Sequence, residues 1–287
     1  MPKKKPNPTQ SLKIPQFIIV TTKICALISS KLVTKYAAKL FTTPIKHKIP
    51  KRELDMDSKS SQNTLHVPSI NKKIVVYEYG ESVKKVLLVH GWSGRGTQLF
   101  KIADVLIENG FSAVSFDAPA HGKSEGKTTI MSEFIESVLE IEKRYGPFEF
   151  AIGHSLGGMS VLNAIKNGLN VKKAVIIGSG DIVQDILNEF IFKLGLKPEI
   201  SIRLRDYFEN KYQVKMDDFS AYKAVEKIEI PVLVIHDNDD PEVPVKAGIH
   251  IHKHLKNGVL FLTEGLGHRK LLGNQTVIQK IVEFIQP

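Results

Sequence analysis

Apolar runs of strand length alternate with stretches of helical periodicity along most of the sequence, and this alternation constrains the fold more than any other feature. The apolar runs lie at 74–79, 86–90, 111–117, 148–154, 174–178, 231–236 and 259–262. Helical stretches lie near 97–109, 129–145, 156–167, 246–256 and 274–285. This pattern predicts the α/β class, with a mostly parallel, twisted sheet flanked by helices.

A serine isolated between two glycines stands where one of these strands meets a helix. Gly153, Ser155 and Gly157 form a G-x-S-x-G pattern that spans the end of the run at 148–154 and the start of the helical stretch after it. A strand-to-helix corner this sharp forces a positive φ on the serine, and the glycines let neighbouring backbones approach without a Cβ clash. The pattern indicates an exposed nucleophilic serine at the end of a strand.

A second loop, after the run at 86–90, carries a candidate backbone N–H donor for stabilising the negative charge of a reaction intermediate. A tetrahedral intermediate needs two N–H donors aimed at its oxygen. The backbone amides of Trp92 and Leu156 are the candidates, and Leu156 opens a helix, whose N-terminus is electropositive. The Trp92 side chain fits either core packing or a pocket wall.

Three aspartates follow the strand at 231–236, and each is a candidate to orient a catalytic base. They are Asp237, Asp239 and Asp240, and their spacing from the following prolines favours Asp240. A calcium-binding loop does not fit, because Glu242 occupies the position of the sharp-turn glycine and Gly248 that of the bidentate glutamate.

His268 is the candidate base among the histidines. It follows Gly267 in a loop beyond the last strand and completes the chain order Ser, Asp, His. His154 and His236 end strands, where packing or hydrogen bonding is expected of them. His250 and His254 share a helix face but lack a metalloprotease signature, so no metal site is predicted.

Five motifs occur in a fixed order over residues 72–287: HGW (90–92), FDAPAHGKS (116–124), GHSLGG (153–158), IHDNDDPEVP (235–244) and GHRKLL (267–272). Together they resemble the α/β-hydrolase superfamily, in its branch of serine esterases, thioesterases and serine aminopeptidase-like proteins. The resemblance implies Ser155 as nucleophile, Asp240 as orienting acid and His268 as base, with the amides of Trp92 and Leu156 as the oxyanion hole.

Two segments depart from the superfamily pattern. Asp237 replaces the glycine that usually follows the strand-end histidine, which leaves the choice of acid open. Ala118, Pro119 and Ala120 replace a segment that usually bears an arginine, and this change leaves the triad untouched.

The resemblance implies cleavage of an acyl bond without a cofactor. A carboxylic ester is the first expectation, and thioester and peptide or amide bonds are alternatives because all three pass through the same oxyanion. The rival interpretation is a binding protein on the same fold that does not turn its ligand over and is docked to a membrane or partner by its basic N-terminal arm.

The sequence divides into three predicted parts. Residues 1–52 form a basic arm, 53–72 a polar linker, and 73–287 the hydrolase domain. One interval of that domain, at about 181–227, reads as helices without a strand, at the site where the superfamily inserts a cap. Five of its side chains are candidates for either cap packing or pocket lining: Phe190, Phe192, Leu194, Tyr207 and Phe208.

The arm carries all of the excess positive charge. Residues 1–52 hold 12 Lys and Arg and no acid, which leaves 28 basic against 30 acidic residues elsewhere. An amphipathic helix is predicted from Ser29 to Phe41. Such helices pack on their own domain or bind anionic membranes, so an anionic membrane surface is an expected partner besides the acyl substrate. No aromatic ladder accompanies the lysines, and no nucleic acid is expected.

The remaining sequence signals favour a cytoplasmic protein, with a peripheral membrane position as an additional expectation. The apolar stretch 14–28 is short and interrupted by Lys23, and no signal-peptide cleavage site follows it. Cys25 is the only cysteine, so no intrachain disulfide is available.

Overall fold

The chain forms one mostly parallel sheet, seen in a computed structural model that describes residues 14–286. Within these residues the sheet has eight strands in the order β1-β2-β4-β3-β5-β6-β7-β8. Only the β1–β2 and β2–β4 pairs are antiparallel. The predicted α/β sheet is therefore confirmed. The strands are β1 (Ser61–Val67), β2 (Lys72–Tyr79), β3 (Lys85–Val89), β4 (Ser112–Asp117), β5 (Phe150–His154), β6 (Lys173–Ile177), β7 (Val232–Asp237) and β8 (Gly258–Thr263).

Helices cover both faces of the sheet, and the strands therefore bury side chains on both sides. Adjacent residues of β3 show this, since Leu87 belongs to the core under the helices at 131–145 and 156–166, while Leu88 belongs to the core under those at 100–108 and 275–285. The α-helices described are α1 (Gln16–Ile28), α2 (Ser30–Phe41), α3 (Leu54–Lys59), α4 (Phe100–Glu108), α5 (Met131–Tyr145), α6 (Leu156–Lys166), α7 (Val183–Lys193), α8 (Glu199–Tyr212), α9 (Ala221–Val225), α10 (Lys246–His254), α11 (Gly267–Lys270) and α12 (Gln275–Ile285).

The prediction of a polar linker at 53–72 is wrong, because this segment contains α3 and the edge strand β1. β1 pairs antiparallel with β2, so that Leu65 faces Ile74. Its sequence, SQNTLHV, is mostly exposed and buries only Val67. An edge strand with so few apolar residues lacks the strong pattern of the central strands.

The start of this segment is also fastened to the domain. The buried Glu53 carboxylate accepts hydrogen bonds from Arg95 at 3.0 Å and from the Thr97 hydroxyl at 2.8 Å. These contacts place residue 53 within the folded domain rather than in a tether.

The N-terminal helices pack against the helices that follow β6. Val33, Ala37 and Ala38 of α2 are buried, and α2 packs on α8. The Phe41 ring lies 5.1 Å from the ring of Phe190 in α7. Most of the apolar face of the predicted amphipathic helix is therefore covered by protein, and Leu32 stays exposed.

Helices α7, α8 and α9 occupy most of the interval predicted as a cap, and no strand lies there. They stand above the carboxyl ends of the parallel strands, which is where α/β sheets bind ligands. Within the described part of the chain, no helix has the length and apolar character needed to cross a membrane.

Candidate active site

Ser155 lies at the apex of the turn between β5 and α6, in the strained conformation that its flanking glycines predict. Its φ is 55° and its ψ is −121°. A Cβ on Gly157 would stand 2.2 Å from the carbonyl oxygen of Val89, and one on Gly153 would stand 2.4 Å from the carbonyl oxygen of Gly157. The two glycines therefore let α6 approach the ends of β3 and β5, and the turn holds the serine at the edge of the sheet.

His268 and Asp240 form a buried hydrogen-bonded pair. His268 Nδ1 lies 2.7 Å from Asp240 Oδ2. The other carboxylate oxygen accepts the backbone N–H groups of Glu242 and Val243, at 2.8 and 2.9 Å. Because an ionised carboxylate only accepts, we assign the ring proton to Nδ1, which leaves the Nε2 lone pair free to act as a base.

The surroundings of Asp240 keep its carboxyl group ionised. Burial alone would raise its pKa, but the hydrogen bond and charge of His268, together with the two backbone amides, outweigh burial and hold the pKa below its usual value. Gly178 closes the other side of the pair, since a Cβ there would stand 3.2 Å from His268 Nδ1. The carboxylate can therefore fix the orientation of the imidazole.

Ser155 and His268 line the same cavity. Among residues 14–286 no hydrogen bond joins the serine Oγ to the histidine. The ring of His154, the residue before the serine, lies 4.6 Å from the His268 ring. A hydrogen bond between a nucleophile and its base is often long or poorly aligned without substrate, and it tightens in the reacting complex.

The two amides predicted as an oxyanion hole belong to residues near Ser155: Leu156 follows it in the chain, and Trp92 lies in the loop after β3. A Cβ on Gly91 would stand 3.0 Å from Ser155 Cβ, so the loop that carries Trp92 passes directly beside the serine. The Trp92 N–H donates to none of the described residues. Leu156 is the first residue of α6 and has no acceptor within the helix. Both amides are thus free to donate to an oxyanion.

The Trp92 side chain both packs and lines the pocket. Its ring meets the ring of His121 edge-on at 5.4 Å, and it also borders the cavity above Ser155. The side chain therefore has both of the roles that the sequence leaves open, packing and lining the pocket.

Asp237 fastens the loop that carries His268. Its Oδ1 accepts the N–H groups of Asp239 and Gly267, at 3.0 and 2.9 Å. Its Oδ2 accepts the Leu266 N–H at 3.1 Å and the Thr263 hydroxyl at 2.7 Å. Sequence reasoning considered Asp237 only as a rival acid. The available signal was the glycine-rich loop after β8, whose free N–H groups need an acceptor.

Four buried histidines brace the loops around the site through the backbone. His154 Nε2 lies 3.1 Å from the His268 carbonyl oxygen, and His236 Nε2 lies 2.9 Å from that of Val243. Burial lowers the pKa of both rings. These contacts agree with the hydrogen-bonding positions expected of the two strand-end histidines.

The other two histidines brace the loop that carries Trp92. His90 Nε2 accepts the Ala118 N–H and His121 Nε2 accepts the Ser93 N–H, each at 3.0 Å. Burial lowers the pKa of His90 to about 4 and that of His121 to about 3. Both rings therefore stay neutral and serve as acceptors at neutral pH.

A cavity of about 1630 Å³ opens above Ser155. Its walls are mainly apolar and come from α1 and α2 on one side and from the helices after β6 on the other. Of the five side chains predicted as lining candidates, all but Tyr207 border it: Phe190, Phe192, Leu194 and Phe208. The N-terminal helices also contribute to the roof, through Ile18 and Phe41 among others.

His250, one of the histidines on α10, is paired with a carboxylate. His250 Nδ1 lies 2.5 Å from Asp181 Oδ2, and the rings of His250 and His254 are 4.4 Å apart. Burial, opposed by the His250 hydrogen bond, raises the pKa of Asp181. No group of three or more potential metal ligands occurs within residues 14–286.

A sequence profile described as the Alpha/beta hydrolase family matches residues 86–276. The chain therefore belongs to the α/β hydrolase family. A comparison with curated protein sequences found no match.

Solved structures with the same fold include several enzymes. An esterase from Exiguobacterium antarcticum superposes with a TM-score of 0.64 at 17% identity, over 79% of this chain and all of its own. A monoacylglycerol lipase from Paleococcus ferrophilus gives 0.58 at 22% identity, over 74% of this chain and 98% of its own. A bromoperoxidase from Bacillus anthracis gives 0.61 at 19% identity, over 78% and 99%. At these identities the likeness establishes the fold.

Proposed function

We propose that the protein is a serine hydrolase that cleaves the acyl bond of a carboxylic ester. One observation carries the proposal: His268, whose ring is held by the buried carboxylate of Asp240, borders the same cavity as Ser155, which sits in a strained turn. A strained backbone conformation persists only where the surrounding structure enforces it, and such residues cluster at active sites. A site that only binds a ligand gains nothing from a serine held in a strained turn at the same cavity as an oriented base.

In the acylation step His268 acts as base and then as acid. Its Nε2 takes the proton of Ser155 Oγ as Oγ bonds to the acyl carbon, and the resulting oxyanion accepts hydrogen bonds from the N–H groups of Trp92 and Leu156. The C–O bond to the alcohol then breaks, and the alcohol oxygen takes the proton from Nε2. Asp240 stabilises the imidazolium throughout.

Deacylation repeats these steps with water. His268 Nε2 takes a proton from the water as its oxygen bonds to the acyl carbon, and then returns that proton to Ser155 Oγ when the carboxylic acid leaves. Neither step requires a metal or a cofactor.

The cavity favours an ester with a long acyl chain. Its volume greatly exceeds that of an acetyl group, and its walls offer apolar side chains such as Ile18, Phe41, Met159, Ile186 and Phe190. Each methylene buried there contributes about 0.8 kcal/mol of binding. We expect kcat/KM on p-nitrophenyl esters to rise from acetate to the longer acyl chains.

Two assays on the purified full chain test the proposal. A fluorophosphonate probe is expected to label Ser155, and the protein to hydrolyse p-nitrophenyl esters. In Ser155→Ala the labelling should vanish and turnover should fall by at least about 10³-fold. Ser132→Ala is the matched control, because Ser132 borders the same cavity, and it should keep both signals.

The other outcomes decide between the alternatives. Turnover of acyl thioesters or amides, without turnover of esters, would replace the ester by one of these substrate classes and leave the proposed mechanism unchanged. An absence of labelling and of turnover on every acyl donor would instead favour a ligand-binding protein.

A further inference from the structure

Helix α1 exposes a continuous apolar face that the rest of residues 14–286 leaves uncovered, although the helix is apolar nearly all round. Thr22 of α1 is fully buried, and Ile18 borders the cavity. On the opposite side, residues at positions i, i+3, i+7, i+10 and i+11 are exposed. This outer face of α1 consists of Phe17 (69% exposed), Val20, Ile24, Leu27 (87% exposed) and Ile28.

The apolar surface continues beyond α1 on both sides. Leu32, at the start of α2, is 42% exposed. Gly195, just after α7, lies against Lys23 and Ile19 of α1, and the nearby Phe192 ring is 76% exposed. An exposed apolar surface of this extent on a folded domain marks an interaction site.

The charged side chains of α1 and of the neighbouring α2 are all positive. Residues 1–52 contain no Asp or Glu, and Lys31, Lys35 and Lys39 are exposed on the neighbouring α2. Lysines flanking an apolar helix face complement anionic lipid headgroups while the apolar side chains enter the acyl region.

The length of α1 decides how it would meet a bilayer. Its 13 residues span about 20 Å, too short to cross a hydrocarbon core of about 30 Å. The helix must therefore lie in the plane of the membrane surface.

We propose that the outer face of α1 docks the protein on an anionic lipid bilayer. The sequence indicates membrane contact through the helix now seen as α2, but packing on α8 covers most of the apolar face of that helix. The surface shifts to α1, whose inner side borders the cavity above Ser155. An acyl chain leaving the bilayer would meet that cavity one helix diameter away. This route for substrate rests on the proposed ester hydrolysis, whereas docking itself does not.

Vesicle flotation of the full chain tests the docking surface. The protein should float with vesicles of phosphatidylcholine and phosphatidylglycerol in equal amounts, and more weakly with phosphatidylcholine alone or at high salt. Leu27→Glu should lower the binding constant for the mixed vesicles by at least about tenfold, since burial of one leucine side chain corresponds to that factor or more.

Val83→Glu is the matched control. Val83 is 91% exposed in the loop between β2 and β3, so the substitution adds the same charge at an equally exposed apolar residue outside α1. It should float like the unaltered protein. Circular dichroism and thermal melting establish that both variants are folded.

Three results would overturn the proposal: no flotation of the unaltered chain with mixed vesicles, equal flotation of Leu27→Glu, or equal loss in Val83→Glu. If the unaltered chain instead forms a dimer that Leu27→Glu dissociates, the face belongs to a second copy of the chain. Flotation requires no turnover, so failure of the proposed hydrolysis would be visible separately in the ester assay.

Discussion

The three aspartates after β7 differ in what their carboxylates contact. Asp240 contacts the ring of His268, Asp237 holds the loop around it, and Asp239 Oδ2 accepts only the exposed Gly265 N–H, at 3.0 Å. Spacing from the following prolines singled out Asp240 in the sequence. The contacts of Asp237 come from residues up to 30 positions later, which no local pattern reveals.

Asn substitutions at these positions should therefore have graded effects. Asp240→Asn presents an amide N–H to His268 Nδ1, which moves the ring proton to Nε2 and removes the base. We expect kcat on p-nitrophenyl esters to fall by about 10⁴-fold with the fold intact. Asp239→Asn, the control, should change kcat less than about threefold, by the size of surface effects. A larger loss in Asp239→Asn than in Asp240→Asn would assign the orienting acid to Asp239.

Asp237→Asn should act on both stability and rate. The Asn side chain has one acceptor oxygen where Asp has two, because its other end is an NH₂ donor. At least one of the N–H groups that Asp237 accepts in the loop after β8 therefore loses its partner. We expect the free energy of unfolding to fall by about 1–3 kcal/mol, as measured by urea denaturation, together with a loss of kcat smaller than that of Asp240→Asn. Unchanged stability would mean that the loop holds His268 without Asp237.

At the scale of elements, the sequence predicts β2 to β8 but not the edge strand β1. β3, β5, β6 and β7 are continuous apolar runs because both of their faces are buried, and their predicted positions agree with the structure within two residues at each end. β1 owes its place to pairing with β2 rather than to its own composition. In the sequence α1 is only a short apolar stretch, because nothing local shows which side of it the domain covers.

The docking of α6 against β3 gives the sharpest test at this scale. Gly157→Ala places a methyl group 2.2 Å from the Val89 carbonyl oxygen and 2.6 Å from that of His90, and backbone atoms cannot rotate away. We expect a loss of about 3 kcal/mol in the free energy of unfolding, or failure to fold, with loss of fluorophosphonate labelling. Urea denaturation measures the first effect.

Gly273→Ala provides the matched control for a glycine-to-alanine change. The nearest atom to its new methyl group would be the flexible Lys101 Cδ at 3.4 Å, which is ordinary contact. Its unfolding free energy should stay within about 0.5 kcal/mol of the unaltered protein. Equal denaturation midpoints for Gly157→Ala and the unaltered chain would contradict the tight approach of α6.

At the scale of the whole molecule, the roof of the site is assembled from distant parts of the chain. The N-terminal helices and the helices after β6 meet over the carboxyl edge of the sheet, where Phe41 packs on Phe190. Each part was predicted separately, as an arm and as a cap. Their contact depends on tertiary packing, so the size of the cavity was beyond prediction from the sequence.

The buried histidines should make the stability of the whole domain depend on pH. His90 and His121 have folded-state pKa values lowered to about 4 and about 3 by burial, against an ordinary value of 6.5. At pH values below about 6.5 these two rings therefore bind protons in the unfolded chain but not in the folded chain. Their contribution is fully present above pH 6.5 and is lost as the pH falls toward the folded pKa values. Between pH 7 and pH 5 each ring should lower the free energy of unfolding by roughly 2 kcal/mol.

Urea denaturation at pH 7, 6 and 5 measures this dependence. The midpoint should fall steadily with acidification, and His121→Gln, whose side-chain oxygen can still accept the Ser93 N–H, should show a shallower fall because one titrating ring is gone. The buried hydrogen bond is kept in that variant, so any change in slope reports the charge rather than the packing. A midpoint that stays constant or rises from pH 7 to pH 5 would mean that these rings accept protons within the folded domain, and the neutral acceptors assigned to the Trp92 loop would have to be given up.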